Sequence, residues 1–127
     1  VLVHQPTGIR AEASERRSQA ENRHVALARL RLRLALEHRT PAKAGPSEKW
    51  CSRRRGRQLI VSARHEDYSA LVAEALDQLV ANGLDMHRVG DILGVTATQL
   101  LNVFRRSPQA WAVLVQLRSN AGLPPLR

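Results

Sequence analysis

The chain has one cysteine, Cys51, among 127 residues. A single thiol cannot form an internal disulfide and leaves no Cys-based metal cluster. That usage fits a reducing cytoplasm. Aromatic residues are nearly as scarce, with two Trp, one Tyr and one Phe. A core must therefore come from Leu, Val, Ile and Ala. No apolar run approaches the roughly 18 residues that a membrane span needs, so no membrane partner is expected. Val1-Leu2-Val3 is too short for the apolar centre of a signal peptide. The five histidines, His4, His24, His38, His65 and His87, are scattered, and none pairs with an acidic residue or Cys at ligand spacing. No metal or cofactor is expected, and no nucleophile triad, P-loop or dinucleotide motif is present.

Acidic residues are short in the first half. Residues 1–58 hold 14 Lys+Arg against 5 Asp+Glu, whereas residues 59–127 hold 6 of each. The formal charge of +9 thus sits wholly in the first half. Arg outnumbers Lys there, and its planar fork matches phosphate oxygens. A concentrated basic half points to a polyanion. RNA fits better than a membrane surface, because no basic amphipathic helix ends in aromatic anchors.

Val1-Leu2-Val3-His4 reads as the end of a strand. Pro6-Thr7-Gly8 reads as a turn, with Pro presetting φ and Gly free to take positive φ. Ile9 to Ala13 alternates as a half-exposed strand does, and the two strands are expected to pair as a hairpin. Ser18-x-x-Glu21 is a capping-box pattern. It predicts a helix from about Gln19 to Arg39, with Ala20, Leu27, Leu30 and Leu34 as the buried stripe. Leu30 to Leu34 also alternates with period two, but no breaker comes before Thr40-Pro41, which favours helix.

The turn and helix start carry a resemblance. His4-x-Pro6-Thr7-Gly8, then a strand, then Arg17-Ser18-Gln19-x-x-Asn22 resembles the catalytic domain of the class I peptide release factors and their ribosome-rescue relatives. The likeness covers residues 1 to about 39. It implies action on the ribosome in translation termination or ribosome rescue, by peptidyl-tRNA ester hydrolysis in the large subunit. It also implies a cytoplasmic setting, and large-subunit RNA and peptidyl-tRNA as partners. No codon-recognition domain is legible, which favours rescue. The family's chemistry belongs to a Gly-Gly-Gln loop just upstream of the turn, and this sequence contains no Gly-Gly-Gln. No catalytic residue is therefore carried over, and whether the protein is an enzyme stays open. A chain starting inside a strand fits truncation better than a shortened paralogue.

A helix N-terminus welcomes phosphate through its free N–H groups and dipole. The candidate RNA-binding residues are therefore Arg16, Arg17, Ser18, Gln19, Asn22 and Arg23. Ser18 and Asn22 serve equally well as a cap and a hairpin brace. A second candidate group is Arg53, Arg54, Arg55 and Arg57, a basic run in a Pro- and Gly-rich stretch. Trp50 beside it could stack on a base or anchor packing.

Gln58 to Ser62 reads as a short strand, and the region 59–127 that it opens is otherwise helical. Tyr68, Leu71, Val72, Ala75, Leu76 and Leu79 form a regular i, i+3, i+4 stripe over 67–81, stopped by Asn82-Gly83. A short helix over about 85–93 ends at Gly94. Thr96-x-x-Gln99 opens another, and Ser107-Pro108 opens a last one. Helix, glycine turn and capped helix form a helix-turn-helix pattern. Thr98, Gln99, Asn102, Arg105 and Arg106 are expected to face outward on its second helix. The zero net charge of this half argues against DNA.

The expectation is thus an α+β chain. Residues 1–39 form a partial release-factor catalytic core of β-hairpin plus helix, 40–58 a basic linker, and 59–127 a helical, helix-turn-helix-like region. The alternative functions are a non-catalytic ribosome- or RNA-binding protein and a helix-turn-helix DNA-binding regulator.

Overall fold

A computed structural model describes the backbone of residues 2–4, 9–11 and 19–126, with side chains from Arg23 onward. The class is α+β: mostly helical, with small antiparallel sheets. Strands β1 (Leu2–His4) and β2 (Ile9–Ala11) pair antiparallel, with Leu2 opposite Ala11, Val3 opposite Arg10 and His4 opposite Ile9. Helix α1 (Gln19–Glu37) lies against both strands and against α3 (Tyr68–Ala81). This contact supplies the cover that a two-stranded hairpin needs to persist in water.

Helix α1 starts where the capping pattern placed it and is continuous through Leu30 to Leu34. Its buried stripe differs from expectation. Ala26, Leu30 and Ala35 are buried, while Leu27 is 36% exposed and Leu34 half-buried. Small alanines let two helix backbones approach where a leucine would hold them apart. Ala20 lies outside the described side chains.

Residues 40–58, expected as a linker, are pinned along their length and partly regular. Asp77 accepts from the Thr40 backbone N–H and hydroxyl, at 3.1 and 2.8 Å. Gln78 donates to the Lys43 carbonyl at 2.8 Å. Glu74 accepts from the Ser47 N–H and hydroxyl, at 2.7 and 2.5 Å. Ser47 in turn caps α2 (Glu48–Arg53), accepting from the Trp50 N–H. Strands β3 (Arg54–Arg55) and β4 (Gln58–Leu59) follow as a tight hairpin, with Gly56 at φ 61° in the turn.

Helices α3, α4 (Met86–Leu93), α5 (Ala97–Arg105) and α6 (Pro108–Asn120) enclose the main core. All six residues of the predicted α3 stripe are buried. Trp50 and Leu59 join the same core, both 0% exposed. After α3 the chain turns through Gly83 and Leu84, both at positive φ. Leu84 tolerates this because its N–H reaches the Leu79 carbonyl at 2.7 Å and its side chain is buried. Asp85, Thr96 and Ser107 each cap the helix that follows, through a side-chain oxygen on the N3 N–H.

Tyr68 opens α3 with its ring in the core and its hydroxyl donating to the Val103 carbonyl at 2.5 Å. Burial pushes this phenol up to about 12, against the pull of the Arg106 charge. An unfolded tyrosine ionises near ~10. Between those values the folded state holds a proton that the unfolded state has lost, so stability falls as pH rises through the window. Tyr68 is the only tyrosine, so tyrosinate absorbance reads it alone. The expected titration midpoint is about 12 in buffer and about 10 in denaturant. A native midpoint equal to the denatured one would place the hydroxyl in water.

Candidate nucleic-acid interface

The two predicted arginine groups fare differently. Arg16, Arg17 and Ser18, with the turn residues Pro6, Thr7 and Gly8, lie outside the described residues. Gln19 and Asn22 sit in the first turn of α1, and their side chains lie outside the described set. Arg23 is exposed one turn into α1.

The Arg53–Arg57 run is built into the fold. Arg53 turns toward the start of α3, where it donates to Asp67 at 3.0 Å and lies 2.7 Å from His65 Nε2. That hydrogen bond, reinforced by the Lys49 and Arg53 charges against a smaller opposing effect of burial, holds the Asp67 carboxyl below the usual carboxylate range. Asp67 also meets Lys49 at 3.5 Å. Arg54 reaches across the α4–α5 turn to the Gly94 carbonyl at 3.3 Å. Arg57 donates to the Val95 carbonyl at 3.0 Å and pairs with Asp91 at 3.3 Å. Arg55 donates to the Ser52 and Arg54 carbonyls at 3.1 and 2.9 Å. Each guanidinium therefore already has acceptors. All but Arg53 remain largely open to solvent. Trp50 is no stacking platform, because its ring is buried and its Nε1–H donates to the Leu93 carbonyl at 2.9 Å.

The helix–turn–helix segment is tight. Gly94 ends α4 at φ 75°, and the Val95 N–H returns to the Gly90 carbonyl at 2.8 Å. Gly90 faces this turn so closely that a Cβ there would lie 2.7 Å from the Val95 carbonyl oxygen. The expected outward face on α5 is only partly outward. Thr98 and Arg105 are exposed, and Arg105 stacks over Trp111 at 5.3 Å. Asn102 accepts from Arg105. Gln99 accepts from the Leu59 N–H at 3.4 Å, and Arg106 donates to the Leu59 carbonyl at 3.3 Å. These two side chains clamp strand β4, because β4 runs beside α5 and has unpaired backbone groups on that side. Thr96 caps α5 as the pattern predicted, but Gln99 serves β4, and the Thr96 N–H donates to the Arg57 carbonyl.

Reasoning from sequence missed a hollow between α1 and the segment entering α3. It encloses about 450 Å³ and brings Arg29 and Arg31 of α1 to Arg64. A second hollow of about 520 Å³ continues past Arg31 toward Lys49, Asp67 and Asp77, and is mixed in charge. Arg31 and Arg64 are far apart in the chain, so no local spacing could have joined them.

Among the described residues, no group of three or more His, Cys, Asp or Glu is placed to hold a metal. No helix among them is long and apolar enough to cross a membrane. Cys51 is an exposed free thiol. No family model, curated protein or solved structure matches the chain.

Proposed function

We propose that this chain is a release-factor-like protein that docks on large-subunit ribosomal RNA in translation termination or ribosome rescue, with peptidyl-tRNA as its other partner. One observation supports this most. In sequence, His4-x-Pro6-Thr7-Gly8 runs from the end of β1 to the start of β2, and Arg17-Ser18-Gln19-x-x-Asn22 runs into the long helix α1, in the order the resemblance calls for. Charge points the same way, because the whole excess of +9 lies in residues 1–58. Ester hydrolysis needs preorganised donors at the developing oxyanion. The family places these in Gly-Gly-Gln, which this sequence lacks. The proposed role of the chain itself is docking. A DNA-reading role is weaker, because Gln99 and Arg106 are committed to Leu59.

Cosedimentation with purified ribosomal subunits tests the proposal. The chain is expected to pellet with large subunits at low salt and to be released steeply as salt rises, as counterion release demands. Remaining in the supernatant at low salt, or pelleting equally with small subunits, would contradict it.

A further inference from the structure

The hollow between α1 and residues 63–69 is lined by two arginines, Arg31 and Arg64, that the fold leaves without a partner among the described residues. Its walls carry Arg29, Arg31 and Arg64, with His24 and His65 beside them, and among the described residues its one acid is Glu66. Arg31 and Arg64 are exposed, and among the described residues neither side chain has a hydrogen bond or ion pair. The Arg53–Arg57 run differs. Arg53 and Arg57 would have to loosen their ion pairs with Asp67 and Asp91 to bind a ligand. Arg54 would have to leave the Gly94 carbonyl. An unpaired guanidinium gives up nothing but water when a phosphate arrives, so affinity should concentrate where arginines are unpaired.

We propose that this hollow is a docking groove for the phosphodiester backbone of single-stranded RNA, with Arg31 and Arg64 as its phosphate ligands. The inference rests on the RNA-docking function above and names where that RNA binds. A basic groove that tracks one backbone is the usual arrangement for single strands. Val25, Ala28, Leu32 and Ala63 supply an apolar floor for sugar and base faces. The aromatic residue lining it, Tyr68, is buried with its hydroxyl engaged, so it offers no face to a base. Binding is therefore read from the backbone and is indifferent to base sequence. Arginine suits the task because its fork takes two phosphate oxygens at once.

The test is fluorescence anisotropy of a labelled oligouridine with the full chain across a salt series. Three variants are compared: R31Q/R64Q, R54Q/R55Q and Glu66→Gln. All change exposed side chains, and thermal melts check folding. R31Q/R64Q is expected to weaken binding about tenfold or more at low salt and to reduce the log–log salt slope by about 1.4, the loss of two phosphate contacts on a single strand. R54Q/R55Q is expected to have the smaller effect. Glu66→Gln removes the opposing charge and is expected to tighten binding, a gain that misfolding cannot imitate. Unchanged affinity and slope in R31Q/R64Q, with the loss appearing in R54Q/R55Q, would overturn the groove and leave RNA docking standing. Preference for the same sequence as a duplex would overturn the single-strand assignment. Absence of salt-dependent oligouridine binding by the parent chain would overturn the groove, while cosedimentation with large subunits decides the ribosome-docking reading separately.

Discussion

Trp50→Ala is expected to lower the unfolding free energy by about 3–5 kcal/mol, the cost of emptying a large aromatic site in a closed core. Trp50 is 0% exposed and packs in the same cluster as α3, α4 and α5. Its indole N–H also satisfies the Leu93 carbonyl at the end of α4. Trp50→Phe separates the two contributions. It retains much of the ring burial but leaves that carbonyl without its donor, which costs about 1–3 kcal/mol. Urea unfolding followed by far-UV circular dichroism reads both variants, and Trp111 remains as a fluorescent probe. A Trp50→Ala chain within about 0.5 kcal/mol of the parent would mean that residues 40–58 are a loose tether after all, since exposed substitutions fall in that range.

The second large effect is at Gly90. The α4–α5 turn closes so tightly that a Cβ on Gly90 meets the Val95 carbonyl at 2.7 Å, with the Ala97 nitrogen at 3.5 Å. Both neighbours are backbone, so neither can swing aside as a side chain would. Gly90→Ala would gain roughly 1 kcal/mol of helix propensity. The clash outweighs that gain, because forced overpacking costs about 1–3 kcal/mol. Gly90→Val is expected to reach the upper end, about 3 kcal/mol, because it adds branching at a point already too close. Splaying α4 from α5 also pulls the Gly94 and Val95 carbonyls away from Arg54 and Arg57. Gly45→Ala is the matched control. Its Cβ would meet nothing within 4 Å, so a change within about 0.5 kcal/mol is expected. Equal effects at Gly90 and Gly45 would contradict the close turn.

The C-terminal helices were legible because their signals are local and redundant. In α3, six apolar residues repeat at 3.6-residue spacing, and all six are buried. Thr96 and Ser107 announce the helices that they cap. Residues 40–58 were not legible as structure, for physical reasons. Helix α2 has six residues, too few for a period to emerge, and isolated helices of that length are unstable without tertiary support. The support comes from Glu74, Asp77 and Gln78 on α3, all distant in sequence. Pro41, Gly45 and Pro46 looked like a break, yet they shape a segment that is held throughout.

The candidate site divides along the same line. Hydrophobicity favoured Leu27 over Ala26 as a buried residue, but helix approach reversed that order. Outward placement of Gln99 and Arg106 followed from helical phase alone. A short strand starting at Gln58 was legible, but not that it would run beside α5 and take both side chains on its backbone. The arginine run 53–57 was conspicuous because its members are adjacent, yet three of its members reach acceptors far along the chain. The hollow where Arg31 and Arg64 have no partner among the described residues exists only once α1 is laid on α3.

Directed cleavage of ribosomal RNA tests the central claim most directly. Cys51 is the only cysteine and is exposed, so one iron-chelate probe can be tethered at one known position. Bound to whole ribosomes and supplied with peroxide, the labelled chain is predicted to cut large-subunit RNA in a compact cluster. Those cuts should fade in R31Q/R64Q and with added salt. Absence of cleavage under conditions where the chain pellets, or cuts scattered evenly over both subunits, would contradict a release-factor-like docking protein.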